Sequence, residues 1–224
     1  MLPNNLAYIE KLTHPAQTPE YVILWLHGLG ADWNDFVPLV AELNLTKAVK
    51  FVFPNAPRRP ITINNGFVMR AWYDICDLNR LGVAVDKAGI LDSVRQIDEL
   101  IKQQIHAGFN AEKIILAGFS QGGVMSYTTA LMTAHNLAGV IALSAYLPDA
   151  EELAKAADNA HKTTPMFAAH GMQDPIVPYQ AGLNAYQALT TAGYNISWHE
   201  YQMQHGVSKE EISDLTKWLE NIMQ

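Results

Sequence analysis

The chain has 224 residues, and a composition of 49% hydrophobic and only 17% charged side chains excludes a disordered polar segment and fits one ordered domain spanning 1–224. A formal charge of −7, with no lysine or arginine cluster, argues against a nucleic-acid partner. The single cysteine, Cys76, excludes an internal disulfide framework, the first residues lack a signal-peptide pattern, and no apolar stretch nears the ~20 residues of a membrane span, so a cytoplasmic protein is expected.

Residues 6–12 alternate weakly and suit an edge strand, with Pro15 and Pro19 marking the turn after it. Residues 21–26 are continuously apolar, a buried strand that ends in the glycine-flanked loop His27-Gly28-Leu29-Gly30. Asp32 or Asn34 suits the cap of a helix with Phe36, Val40 and Leu43 on its apolar face. Residues 49–53 form the next buried strand, closed by Pro54-Asn55-Ala56-Pro57. From 58 to 81 the pattern holds neither period 2 nor period 3.6, although Ile61, Ile63, Phe67, Val68, Met69, Trp72 and Tyr73 are strongly apolar. So long a loop in a compact domain is usually functional, and we expect a lid or binding wall that also covers the sheet.

Asp86 is placed to cap the longest helix, with Ile90, Val94, Ile97, Ile101 and Ile105 at spacings of three and four and Gly108 as its stop. A strand over 113–117 leads into an amphipathic run carrying Val124, Met125, Tyr127, Thr128 and Leu131. Further strands are expected at 139–144, 165–169 and 195–201. A short helix is expected at 151–157, a longer one from Pro178 to Gly193, and a last one over 207–222 with Ile212, Leu215 and Leu219 inward. Strands alternating with helices imply right-handed βαβ units, hence an α/β fold with a mostly parallel central sheet and helices on both faces.

Between the strand at 113–117 and its helix stands Gly118-Phe119-Ser120-Gln121-Gly122. Strand, G-x-S-x-G, helix is the setting of a nucleophile elbow. A serine hydroxyl is a poor nucleophile unless it projects free toward a base, and the sharp turn does the projecting at the cost of a strained backbone. Glycines two positions either side remove Cβ atoms that would collide in the bend. The helix behind Ser120 aims free N–H groups at the place where an oxyanion forms. Against this stands the plainer reading of Ser120 as a helix cap between turn glycines.

Elbow hydrolases run in the order serine, acid, histidine. His205 lies in the loop after the last strand, whereas His161 precedes a strand, His170 precedes the strand-tip acids, and His199 lies within a strand. Asp174 follows its strand by a few residues and is held by Pro175, while its rival Asp149 opens an acidic helix start. The catalytic set expected is therefore Ser120, Asp174 and His205, with Gln121 N–H and Leu29 N–H as oxyanion donors. Cys76 has no elbow glycines. His199, Glu200 and His205 lack the H-E-x-x-H spacing of a metal helix, and no P-loop or G-x-G-x-x-G occurs, so neither a metal nor a cofactor is expected.

In order along the chain, Leu26-His27-Gly28-Leu29-Gly30, Phe53-Pro54-Asn55-Ala56-Pro57, Met69-Arg70-Ala71-Trp72-Tyr73-Asp74, Gly118-Phe119-Ser120-Gln121-Gly122-Gly123, His170-Gly171 with Asp174 and Val177-Pro178, and His205 together resemble the phospholipase/carboxylesterase family of α/β-hydrolases. That family includes carboxylesterases, lysophospholipases and acyl-protein thioesterases. The resemblance implies the same triad and oxyanion donors. It also implies that the 58–81 segment borders an apolar acyl groove, with Ile63, Met69, Trp72 and Tyr73 as its substrate-binding residues. It implies a serine esterase that hydrolyses esters or thioesters of apolar acyl chains through an acyl-Ser120 intermediate. Its partner would be a small or lipid-like acyl substrate; transient contact with a membrane or acylated protein, and a homodimer, are compatible with it. Two other readings stand beside it: a dienelactone-hydrolase-like enzyme, which usually carries a cysteine nucleophile, and a non-catalytic binding protein on the same fold.

Overall fold

The computed structural model describes residues 6–77, 85–151 and 161–224. Seven strands form one sheet: β1 (Tyr8–Leu12), β2 (Tyr21–Leu26), β3 (Val49–Pro54), β6 (Ile114–Phe119), β7 (Gly139–Leu143), β8 (Met166–Gly171) and β9 (Ile196–Tyr201). Their spatial order is β1-β3-β2-β6-β7-β8-β9, with β1 antiparallel at one edge and every other pairing parallel. Parallel neighbours share one carboxyl-end rim, and the loops after β2, β6, β8 and β9 all emerge there.

The apolar runs belong in the middle of this sheet because both of its faces are covered. On β2, Val22, Leu24 and Leu26 pack on one face while Tyr21, Ile23 and Trp25 pack on the other, all six buried. The first face is covered by α2 (Lys87–His106), α3 (Gln121–Met132) and α4 (Tyr179–Thr191). The second is covered by the short α1 (Leu39–Glu42) and by α5 (Lys209–Ile222). Helix α2 starts where the sequence put its cap: the Asp86 side chain accepts from Gly89 N–H, and Ile90, Val94, Ile97 and Ile101 are buried. Helix α5 carries a full capping box, Ser208 with Glu211, that the sequence reading overlooked.

Two expectations change. The helix read from Asp32 or Asn34 shrinks to one turn, Leu39–Glu42, because Pro38 brings no N–H and keeps Val37 out of helical continuity. Residues 31–38 form successive turns instead, the first closed by Asn34 N–H on the Asp32 carboxylate. The stretch read as a patternless loop contains an antiparallel hairpin, β4 (Arg58–Ile61) with β5 (Phe67–Arg70), joined through a 3-10 turn at Thr62–Asn64. Its alternation is hidden because it is largely exposed on both faces, with Phe67 67% and Val68 46% accessible. Residues 78–81 of the expected loop and most of the short helix expected at 151–157 lie outside the described residues.

Candidate active site

The elbow follows directly from β6 and α3. Ser120 has φ 54° and ψ −120°, a conformation that only strain or close support lets a non-glycine residue hold. Support comes from both sides: Ser120 N–H donates to Leu143 O at 2.8 Å, and Ser120 O accepts from Val124 N–H at 3.1 Å. A Cβ on Gly118 would collide with the backbone of Gly122, and one on Gly122 with the backbone of Leu26. The Ser120 side chain makes no capping hydrogen bond. It faces His205 instead.

His205 Nε2 lies 3.0 Å from Ser120 Oγ, and His205 Nδ1 lies 2.6 Å from Asp174 Oδ2. A carboxylate only accepts, so Nδ1 carries the proton and Nε2 of the neutral ring is left to accept from the serine hydroxyl. Asp174 is completely buried at its side chain. Burial alone would raise its carboxyl, but hydrogen bonds from His205 and from the Ile176 and Val177 amides outweigh it and hold it below the usual carboxylate range.

Two loops bring Asp174 and His205 together. Gly171 has no Cβ to obstruct the carbonyls of Met203 and Gln204, which cross close above it. Met172 N–H then donates to Tyr201 O, and Gln173 N–H to Met203 O. The Phe119 ring lies 4.8 Å from the His205 ring, centroid to centroid, and flanks the imidazole. Phe119 is a variable position of the elbow motif, so spacing gave no reason to single it out.

Gly28 and Gln121 flank the serine. Gln121 N–H opens α3, and a Cβ built on Gly28 would stand 3.5 Å from Ser120 Cβ, so the Gly28-Leu29 backbone passes beside the nucleophile. The Gln121 side chain has a second use that the motif does not reveal. Its Oε1 accepts from Trp72 N–H at 2.8 Å and its Nε2 donates to Tyr73 O at 2.7 Å, clipping the segment after the hairpin to the start of α3.

The four residues expected to line an acyl groove divide. Ile63 and Met69 are half-buried, and Met69 Sδ would lie 3.5 Å from a Cβ on Gly30. Trp72 and Tyr73 are fully buried and cover the sheet, the other part expected of this segment. Trp72 Nε1 donates to His27 O, and the Tyr73 hydroxyl shares a 2.8 Å bond with Tyr146. They stand behind the 27–30 loop, where the Gln121 clip holds their backbone.

The rival residues have other partners. Asp149 pairs with Lys87 at 2.6 Å, His199 stacks on Phe167 at 4.2 Å, and Glu200 accepts from the Tyr179 hydroxyl. His199, Glu200 and His205 therefore do not converge on one point. Cys76 is exposed and donates to Asp74. His170 is buried behind the acid with Nε2 2.9 Å from Val177 O. Among the described residues no helix is long and apolar enough to cross a membrane.

A family model described as phospholipase/carboxylesterase matches residues 7–223. The chain belongs to that family. It is 36% identical over 204 residues to acyl-protein thioesterase 1 of Yarrowia lipolytica, covering 88% of this chain and 90% of the relative. It is 31% identical over 201 residues to the carboxylesterase SOBER1 of Arabidopsis thaliana, covering 88% of each. The SOBER1 crystal structure superposes with a TM-score of 0.85 at 30% identity, covering 91% of this chain and 99% of that one. Acyl-protein thioesterase 2 of Zea mays superposes with a TM-score of 0.82 at 26% identity, covering 96% and 99%. This family member therefore has the α/β-hydrolase fold, as its mostly parallel seven-stranded sheet already indicated.

Proposed function

We propose that the protein is a serine esterase that hydrolyses carboxylic esters or thioesters carrying apolar acyl chains. The observation that carries this reading is the unbroken relay from Asp174 Oδ2 through His205 to Ser120 Oγ, at 2.6 and 3.0 Å. In the first half-reaction Ser120 Oγ attacks the carbonyl carbon while His205 Nε2 takes the hydroxyl proton. The tetrahedral oxyanion is held by the N–H groups of Gln121 and Leu29. The intermediate collapses, His205 returns its proton to the departing alcohol or thiol, and acyl-Ser120 remains. Water then attacks that ester with the same proton transfers, releasing the acid and restoring the hydroxyl.

In this reading the β4–β5 hairpin forms one wall of the acyl groove, with Ile63 and Met69 nearest the reacting carbonyl. Relatives named acyl-protein thioesterase favour an S-acylated protein as the physiological substrate. The exposed Phe67 and Val68 would then make the transient contact with that acylated protein or its membrane. Labelling with a fluorophosphonate, followed by peptide mass spectrometry, is expected to modify Ser120 stoichiometrically. Matched oxygen-ester and thioester substrates of rising chain length then define the preference. Failure to label Ser120, together with no turnover of any p-nitrophenyl ester, would leave the non-catalytic binding reading in its place.

A further inference from the structure

His27 opens the loop that passes the nucleophile, yet it takes no part in the proton relay. Its ring is buried, 2% accessible, and engaged at both nitrogens. Nε2 lies 3.0 Å from Ala56 N–H. A backbone amide only donates, so Nε2 is the unprotonated nitrogen of the neutral ring. Nδ1 therefore carries the proton, and it donates to Gly28 O at 2.7 Å. Burial lowers the pKa of this imidazole, with the bond to Gly28 O and the charges of Asp32 and Asp35 opposing and Arg70 assisting, which keeps the ring neutral.

Gly28 O is one end of a peptide group whose other end is Leu29 N–H. In a trans peptide the two lie in one plane and point in opposite directions, so whatever aims the carbonyl aims the amide. Ala31 N–H reaches the same oxygen at 3.3 Å, a longer contact, and Gly30 N–H donates to Arg70 O at 2.9 Å to hold the next peptide. The Gly28-Leu29 peptide starts beside the serine, since a Cβ on Gly28 would stand 3.5 Å from Ser120 Cβ, and Trp72 flanks the loop: its ring is 5.5 Å from the imidazole, and its Nε1 donates to His27 O of the preceding peptide. A hydrogen bond accepted at the carbonyl also polarises the peptide and strengthens its N–H as a donor.

We propose that His27 is a positioning residue for the oxyanion site: its Nδ1–H holds and polarises the Gly28-Leu29 peptide, so that Leu29 N–H meets the oxyanion of an ester or thioester. The inference rests on the esterase reading above. It assigns His27 no contact with substrate. All of its effect passes through one peptide plane.

Three substitutions separate this task from packing. His27→Asn keeps an N–H one bond beyond Cγ, where Nδ1 stands, and loses the acceptor for Ala56. His27→Gln moves its amide outward, toward Ala56 and away from Gly28 O. His27→Leu removes both groups at similar volume. With a p-nitrophenyl ester, the Gln and Leu variants are expected to lose about 10- to 100-fold in kcat with KM little changed, below the full loss of an oxyanion donor. The Asn variant is expected to stay within about threefold of wild type, since its donor to the peptide survives.

Equal losses in all three variants, or none, would overturn the proposal. Nitrogen-15 NMR of the wild-type protein, with the His27 ring assigned by its disappearance in His27→Asn, is expected to find that imidazole neutral and in the Nδ1–H form. Finding His27 in the Nε2–H form would overturn the proposal even if the Gln and Leu variants fail to fold. A wild-type protein inert toward esters would instead sink the esterase reading and His27's task with it. An active wild type that Ser120→Ala abolishes, with all three His27 variants unimpaired, would sink only the role of His27.

Discussion

The rim where Ser120, Asp174 and His205 meet and the β4–β5 hairpin are close neighbours built on opposite terms. At the rim every reactive atom is held by backbone that other elements over-determine: the strained Ser120 between Leu143 and Val124, Asp174 between two amides and an imidazole. The hairpin is held by a few polar ties, Gln121 to Trp72 and Tyr73, Arg70 to Ala56 O, and Thr62 to Asp74, while its outer side chains face water. Strain of about 1–3 kcal/mol at one residue persists only where the surroundings enforce it. The proposed chemistry therefore sits where backbone ties converge, and the hairpin, the proposed wall for the acyl chain, is free to vary without disturbing it.

Breaking the rim has the largest expected effect. Asp174→Asn retains an oxygen for the Ile176 and Val177 amides but presents a donor to His205 Nδ1, forcing the wrong tautomer. A drop of about 10⁴ in kcat is expected with the melting temperature nearly unchanged, read by ester turnover and circular dichroism. Gly122→Ala drives a methyl into the Leu26 backbone, which cannot yield without parting β2 from α3. A loss of about 3 kcal/mol or more is expected, read from the denaturant midpoint.

A smaller effect belongs to Glu211, buried in the capping box that follows the His205 loop. Burial pushes its carboxyl up to about 8 from an ordinary 4.5, against the opposing bond from Ser208 N–H. Between those two values the folded chain holds a proton that the unfolded chain releases, so stability falls as pH rises from 4.5 toward 8. Glu211→Gln removes that titration. Melting curves at pH ~5 and ~9 should show the variant gaining on wild type at the higher pH by about 1–3 kcal/mol, the range of a buried polar group without its partner.

The smallest stability effect is expected at the hairpin, and it sharpens the contrast most. Replacing Phe67 and Val68 by serine should shift stability by no more than about 0.5 kcal/mol, as for other exposed positions. Turnover of p-nitrophenyl acetate and octanoate should both be unaffected, while turnover of an S-acylated protein falls because its outer contact is lost. Equal losses on the small esters and the acylated protein would remove that contact from Phe67 and Val68.

The sequence by itself determined the buried strands, the long helix from its Asp86 cap to Gly108, and the elbow around Ser120, because these rest on local period, capping and turn chemistry. Chain order and strand-end position also narrowed the acid and base to Asp174 and His205. Tertiary structure alone decided what depends on crossing distances. Trp72 and Tyr73 turn inward because Gln121, some fifty residues away, clips them. The acid and base loops close on each other because Gly171 leaves room, and the His27 ring is set by an amide at Ala56. The hairpin was illegible for the converse reason: an element exposed on both faces needs no hydrophobic alternation, so none is written in its residues. Local patterns encode what a segment buries, and only the folded chain decides which backbone groups from distant segments meet.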